Sequence, residues 1–235
     1  MSKTFTALMA TVLAMLWVAV PSVAMAGPYV GVGIGGTRTE SSLAKLNLVP
    51  TLPSDIAVIG SDPDFSSTDV SLEFTVGWMF NQHFGVEIGY TDFGEARANF
   101  ELPLSPPGCL EAPKPNLGCQ SREWTATMET TGIQAFIIGS TPLGESIDAY
   151  LKLGAISWKA DYAGFEKNVD FIPGPPIGPR NPGVSYDDDG TDLAAAVGFT
   201  LKTGTPFSVR TELAYYDIAT TDLVWVAQLM GIYTF

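Results

Sequence analysis

The chain has 235 residues and a formal charge of −13, with 46% hydrophobic and only 16% charged residues. So small a charged share is unusual for a water-soluble domain, and the acidic balance argues against nucleic acid, whose phosphates need Lys and Arg. An acidic surface suits divalent cations or basic partners instead.

The first residues resemble an export signal. Lys3 supplies a positive start, Leu8 to Val20 an apolar run, and Ala24-Met25-Ala26 a small-x-small cleavage site. This predicts a cleaved signal over residues 1–26 and one exported domain over residues 27–235. An uncleaved anchor is the competing reading, because Phe5 to Ala26 nearly spans a bilayer; Pro21 interrupts that run. No later window holds 18 consecutive apolar residues, so a helical membrane protein is excluded.

From Gly27 onward the chain alternates with period two, the signature of strands with two unlike faces. Tyr29 to Thr37 sets Val30, Val32 and Ile34 against Gly31, Gly33 and Gly35. The second strand opposes Val70, Leu72, Phe74, Val76, Trp78 and Phe80 to Asp69, Ser71, Glu73, Thr75 and Gly77. Asn81-Gln82-His83 turns it into the third, where Phe84, Val86, Ile88 and Tyr90 oppose Gly85, Glu87, Gly89 and Thr91. The fourth, roughly Trp124 to Ile138, has no clear parity: an inward Gln134 puts Ile133, Ala135 and Ile137 outside, and a bulge near Gly132 would reverse this.

After Pro142-Leu143-Gly144, a fifth strand from Ala149 to Trp158 opposes Ala149, Leu151, Leu153 and Ala155 to Tyr150, Lys152, Gly154 and Ile156. The sixth, Asp192 to Lys202, carries Leu193, Ala195, Val197, Phe199 and Leu201 on one face. The seventh, Phe207 to Asp217, sets Phe207, Val209, Leu213 and Tyr215 against Ser208, Arg210, Glu212 and Tyr216. The eighth ends the chain, with Trp225, Ala227, Leu229, Gly231, Tyr233 and Phe235 on one apolar face.

Long connections alternate with short turns, as in a barrel crossing the outer membrane with strands of roughly 9–11 residues. Lipid leaves no partner for a free sheet edge, so such a sheet must close. A soluble barrel would carry its apolar set inside. Here Glu73, Glu87, Lys152, Arg210 and Glu212 share the inward set, which predicts an all-β, eight-stranded, antiparallel up-and-down transmembrane barrel with a polar interior network. Three acids against two bases leave one acid in excess. Tyr90, Phe93, Trp124, Trp158, Tyr215 and Trp225 are expected in one interface girdle, and Phe80, Phe84, Phe207, Tyr233 and Phe235 in the other.

The start Gly27-Pro-Tyr-Val-Gly-Val-Gly-Ile-Gly, the stretch Phe84-Gly-Val-Glu-Ile-Gly-Tyr-Thr-Asp-Phe-Gly and the end Gly231-Ile-Tyr-Thr-Phe resemble the OmpA-like outer-membrane β-barrel family, which includes small surface proteins and opacity-type antigens. The resemblance covers Gly27 to Phe235. It implies a Gram-negative outer-membrane location, and recognition of the final aromatics, Tyr233 and Phe235, by the barrel assembly machinery. The peptidoglycan-binding domain of full-length members is expected to be missing, because the chain ends on its last strand.

Other motifs are weaker. Gly31-Val-Gly-Ile-Gly-Gly36 fits a dinucleotide fingerprint, but no helix follows to receive pyrophosphate. The glycines make room for neighbouring interior side chains instead. Asp187-Asp188-Asp189-Gly190-Thr191-Asp192 lacks the spacing and distal Glu of a calcium loop and is read as a solvated acidic rim. Cys109 and Cys119, in a Pro-rich loop, suit one local disulfide in an oxidising compartment; metal binding is the alternative, without a nearby His. His83, the chain's one His, falls in a short turn at the wrong end for a hydrolase. No enzyme activity, cofactor or metal is therefore expected.

The expected role is that of a monomeric structural and surface-interaction protein. Its loops around Thr39–Thr68, Glu95–Arg122 and Tyr162–Thr191 would meet host factors, lipopolysaccharide or neighbouring cells. The alternative is a narrow passive channel gated by interior salt bridges.

Overall fold

The computed structural model describes residues 27–42, 64–104, 120–167 and 184–235. The strands are β1 (Gly27–Ser42), β2 (Asp64–Met79), β3 (Phe84–Leu104), β4 (Gln120–Pro142), β5 (Ile147–Lys167), β6 (Val184–Lys202), β7 (Phe207–Tyr216) and β8 (Leu223–Thr234). All pair antiparallel with their chain neighbours, and β8 returns to β1 in a continuous register from Tyr29↔Thr234 to Glu40↔Leu223. The result is the expected closed, eight-stranded barrel. The expected signal at 1–26 and the Cys109–Cys119 pair lie outside the described residues.

The two faces separate as the alternation requires. Val32, Ile34, Phe74, Ile88, Leu193, Val197 and Leu229 each stand half exposed or more on the outside. An apolar belt of this extent is untenable in water and suits hydrocarbon. In β4, Gln134 is fully buried while Ile133 and Ile137 are 61% and 67% exposed, so its even residues face inward. Its register with β5 runs unbroken through Gly132↔Trp158, and no bulge sits there.

The bulge lies instead in β3. Asp92 and Glu95 oppose Thr131 and Glu129, so β3 spends one extra residue. That switches its inward parity from odd (Glu87, Thr91, Phe93) to even (Ala96, Ala98). Gly94 takes the strained position with φ of 76°, a conformation that a Cβ resists. Asp92 Oδ1 accepts its N–H at 2.9 Å, and Asp69 Oδ2 that of Glu95 at 2.6 Å.

Two girdle assignments are corrected by this geometry. Phe93 and Trp158 are each 3% exposed and point inward; Phe93 packs edge-on to Tyr216, and Trp158 Nε1 donates to Asp192 Oδ2 at 2.7 Å. Tyr90 stays outside, as do Tyr215 and Trp225, whose rings lie 5.1 Å apart. The side chain of Trp124 lies outside the described residues. At the short-turn end Phe80, Phe84, Phe207 and Phe235 are exposed, and Tyr233 sits between Phe207 and Phe235 at 4.9 and 5.1 Å.

Strand length is the third correction. β3, β4 and β5 run 21, 23 and 21 residues and β6 runs 19, whereas β7 has 10 and β8 has 12. Much of what the sequence assigns to loops, including Asp187-Asp188-Asp189, is strand. β2 pairs β3 only up to Leu72↔Asp92, and β6 pairs β7 only up to Ala194↔Tyr216. Beyond those points β3–β6 continue as a four-stranded sheet above the belt.

Gly94→Ala would set a Cβ 2.6 Å from both Asp69 Oδ2 and Val70 O at a positive φ. It is expected to cost about 1–3 kcal/mol, seen as a lower urea midpoint for the protein folded in lipid vesicles. An unchanged midpoint would mean that the bulge carries no strain.

Candidate functional site: the barrel lumen and its rim

The five predicted interior residues converge at mid-barrel. Glu87 from β3, Lys152 from β5, and Arg210 and Glu212 from β7 are all buried, and Glu73 from β2 lies beside them. Lys152 Nζ bridges Glu87 at 2.5 Å and Glu212 at 2.6 Å, and Arg210 donates to Glu87 at 2.8 Å. Charges this deep persist only when paired and hydrogen-bonded on most sides.

Neutral groups complete the network. Tyr29 donates to Glu87 at 2.6 Å, and Tyr150 to Glu212 at 2.8 Å. The Arg210 guanidinium lies between those two rings, 5.3 and 4.9 Å from their centres. Gln228 donates to Glu73 at 2.6 Å and to Glu212 at 3.1 Å, which orients its amide, since a flipped carbonyl would face two carboxylates. Glu73, the acid in excess, has this amide as its hydrogen-bond partner, and its Oε1 has none. Tyr216 donates to Gln134 at 2.8 Å.

Glycines allow these reaches. A Cβ on Gly77 would collide with the Tyr29 ring, and one on Gly198 with Tyr150. On Gly33 it would press Met230 at 2.8 Å and Gln228 Oε1 at 3.3 Å. The glycine run of β1 is thus strand backbone that long β8 side chains cross, and it opens no helix. Tyr29 and Gln228 were legible partners, because each shares its strand's inward parity.

The lumen is not polar throughout, which modifies the expectation. Toward the tall sheet it is filled by an apolar cluster including Phe93, Phe136, Ile156, Trp158, Tyr162, Tyr216 and Val226. Toward the short turns, Tyr29, Ile138, Tyr150, Met230 and Ile232 form a smaller one. Below it lies an open vestibule of about 570 Å³, reached by Arg210 and lined also by Ser140, Asp148 and Lys202. Lys202 pairs with Asp148 at 2.7 Å.

His83 sits in the β2–β3 turn, with Nδ1 3.1 Å from the Ser140 carbonyl. Among the described residues, no group of three or more His, Cys, Asp or Glu is placed to hold a metal ion. At the other end Asp187, Asp188 and Asp189 are exposed on β6, and Asp187 faces Asp161 in register. Lys159, opposite Asp189, pairs with Asp161 at 3.2 Å.

Lys152 is the pivot, since its removal leaves three buried carboxylates, Glu73, Glu87 and Glu212, to one guanidinium. Lys152→Met is expected to cost about 3–5 kcal/mol in vesicle urea titrations. Adding Glu87→Gln and Glu212→Gln should recover much of that loss. If the single variant is as stable as the parent, the network is not a structural requirement.

Solved structures of low identity align with the chain over most of its length. Ail of Yersinia pestis, in complex with the heparin analogue sucrose octasulfate, is 14% identical; the match covers 88% of this chain and 98% of that one, with a TM-score of 0.43. For neisserial surface protein A the values are 12%, 91%, 100% and 0.48. For OprG from Pseudomonas aeruginosa they are 15%, 89%, 97% and 0.40. At these values nothing about ligands or activity transfers. No curated protein matches the chain by sequence. Residues 5–230 match the family described as the outer membrane protein beta-barrel domain, and the chain therefore belongs to that outer-membrane β-barrel family.

Proposed function

We propose that this protein is a non-enzymatic, monomeric outer-membrane barrel, delivered by a cleaved signal at residues 1–26, that works by surface contact. The supporting observation is the pairing of a filled lumen with a tall rim. Aromatic and aliphatic side chains occupy the upper interior, while β3–β6 carry the chain well past the lipid-facing belt. The rim and the connections at 43–63, 105–119 and 168–183 would meet host factors, lipopolysaccharide or neighbouring cells. In this proposal Cys109 and Cys119 form a disulfide within one connection. Phe235, 71% exposed, with Tyr233 beside it, is offered to the barrel assembly machinery.

Replacing the three connections by short Gly/Ser turns should abolish binding to cells or serum factors. Heat-modifiable migration on a gel, the sign of an intact barrel, should be retained. Undiminished binding would overturn the proposal.

The vestibule that reaches Arg210 favours a second reading, a narrow passive channel. With the lumen filled above the ion pairs, no reproducible unit conductance is expected in planar bilayers. Conductance abolished by Arg210→Gln or Lys152→Gln would make the channel the better account.

A further inference from the structure

We infer that the lumen wall beside Glu73 is a monovalent-cation site, where Glu73, Ser71, Thr91 and Gln228 hold one alkali ion through oxygen. This goes beyond the surface-contact reading and does not rest on it.

Charge is the first reason. Lys152 bridges Glu87 and Glu212, and Arg210 bridges Glu87. Among the described residues neither cation bridges Glu73, which is 2% exposed. Three carboxylates against two cations leave one negative charge over. In so dry a place an ionised carboxylate is costly without a counter-charge of its own.

The unpaired atoms around it are the second reason, and they are oxygens. Glu73 Oε1, Ser71 Oγ and Gln228 Oε1 are all buried without a hydrogen-bond partner. Buried acceptors left in this state are uncommon and point to something that binds them. Thr91, fully buried, stands directly across from Glu73 in the β2–β3 register, where facing Cβ atoms lie about 4.5–5.5 Å apart.

Two glycines bring these groups to one patch of wall. Glu73 faces Gly33, and Ser71 faces Gly35, across the β1–β2 ladder. On its other side β1 sets Gly33 against Met230 and Gly35 against Gln228. With no Cβ on either glycine, Gln228 reaches across β1 and donates to Glu73 Oε2 at 2.6 Å. Its Nε2 also donates to Glu212 at 3.1 Å, which fixes the sense of the amide. Gln228 Oε1 is thereby turned toward Gly33, 3.3 Å from where a Cβ would stand and in the row that Glu73 faces.

The donor set selects the class of ion. One carboxylate, one amide oxygen and two hydroxyls are hard ligands, suited to alkali and alkaline-earth cations. A divalent ion would overshoot the single excess charge, and calcium sites draw on several carboxylates. Water would satisfy the oxygens and leave the charge unbalanced. A monovalent metal cation answers both needs.

The test uses the full-length protein folded into zwitterionic lipid vesicles, with sodium chloride exchanged for choline chloride at constant ionic strength. Choline is too bulky for the wall and serves as the reference. Sodium bound by the folded barrel alone should raise the urea midpoint progressively with its concentration. Glu73→Gln keeps an oxygen for Gln228 and removes the excess charge, so its midpoint should be the same in both salts. In choline this variant should be at least as stable as the parent. Ser71→Ala leaves every charge in place and should raise the sodium concentration needed by roughly tenfold. Crystals of protein folded with thallium(I) should show an anomalous peak between Glu73 and Gln228.

Equal parent midpoints in sodium and choline would overturn the site. A sodium response that survives Glu73→Gln would do the same, because the ion would then act elsewhere. A protonated-carboxyl infrared band in the parent, removed by Glu73→Gln, would assign the neutralising charge to a proton and overturn the metal ion.

Discussion

Closure is the constraint on which the rest depends. Hydrocarbon offers no hydrogen bond to a peptide group, so a sheet in lipid must leave no edge at that depth. The register joining β1 to β8, from Tyr29↔Thr234 to Glu40↔Leu223, removes the last one. Once the ring is shut, period-two alternation sends one set of side chains to lipid and traps the other in a lumen too narrow for bulk water. A charge trapped there is costly unless it is paired and hydrogen-bonded.

Three solutions to that demand are stacked along the lumen. At mid-height, Lys152 and Arg210 hold Glu87 and Glu212, Tyr29 and Tyr150 donate to oxygens those cations also hold, and Gln228 reaches the other oxygen of Glu212. Above, packing replaces pairing: Trp158, Phe93 and Tyr216 fill the bore. Below, Ile138 and Ile232 close around Met230 before the vestibule opens. Glycines at alternate lumen positions let tyrosine and glutamine cross to distant partners, which is why a β1 so rich in glycine persists as a strand.

Much of this was legible in the chain. β2 declared both its faces, since Val70 to Phe80 alternates cleanly with Ser71, Glu73 and Thr75, and the inward parity of Lys152 and Arg210 followed from their apolar neighbours. Phe93 and Trp158 were not legible as lumen residues. An aromatic near a membrane boundary satisfies either a girdle or a core, and the extra residue at Gly94 inverts the β3 parity that would have decided it. Strand ends above the lipid were hidden for another reason. There both faces tolerate Thr, Asp and Glu, so Asp187 to Thr191 loses the contrast that marks a membrane strand, and only ladder pairing reveals it. The ion pairs themselves depend on register between strands far apart in sequence, such as Glu87 and Arg210, which no local pattern carries.

The most direct measurement is the solvent that the outer face meets. A spin label placed in turn at Phe74, Val197 and Leu229, in the protein folded into bilayers, should relax with oxygen dissolved in lipid and ignore a nickel chelate dissolved in water. Relaxation by the chelate in place of oxygen at these positions would contradict the account.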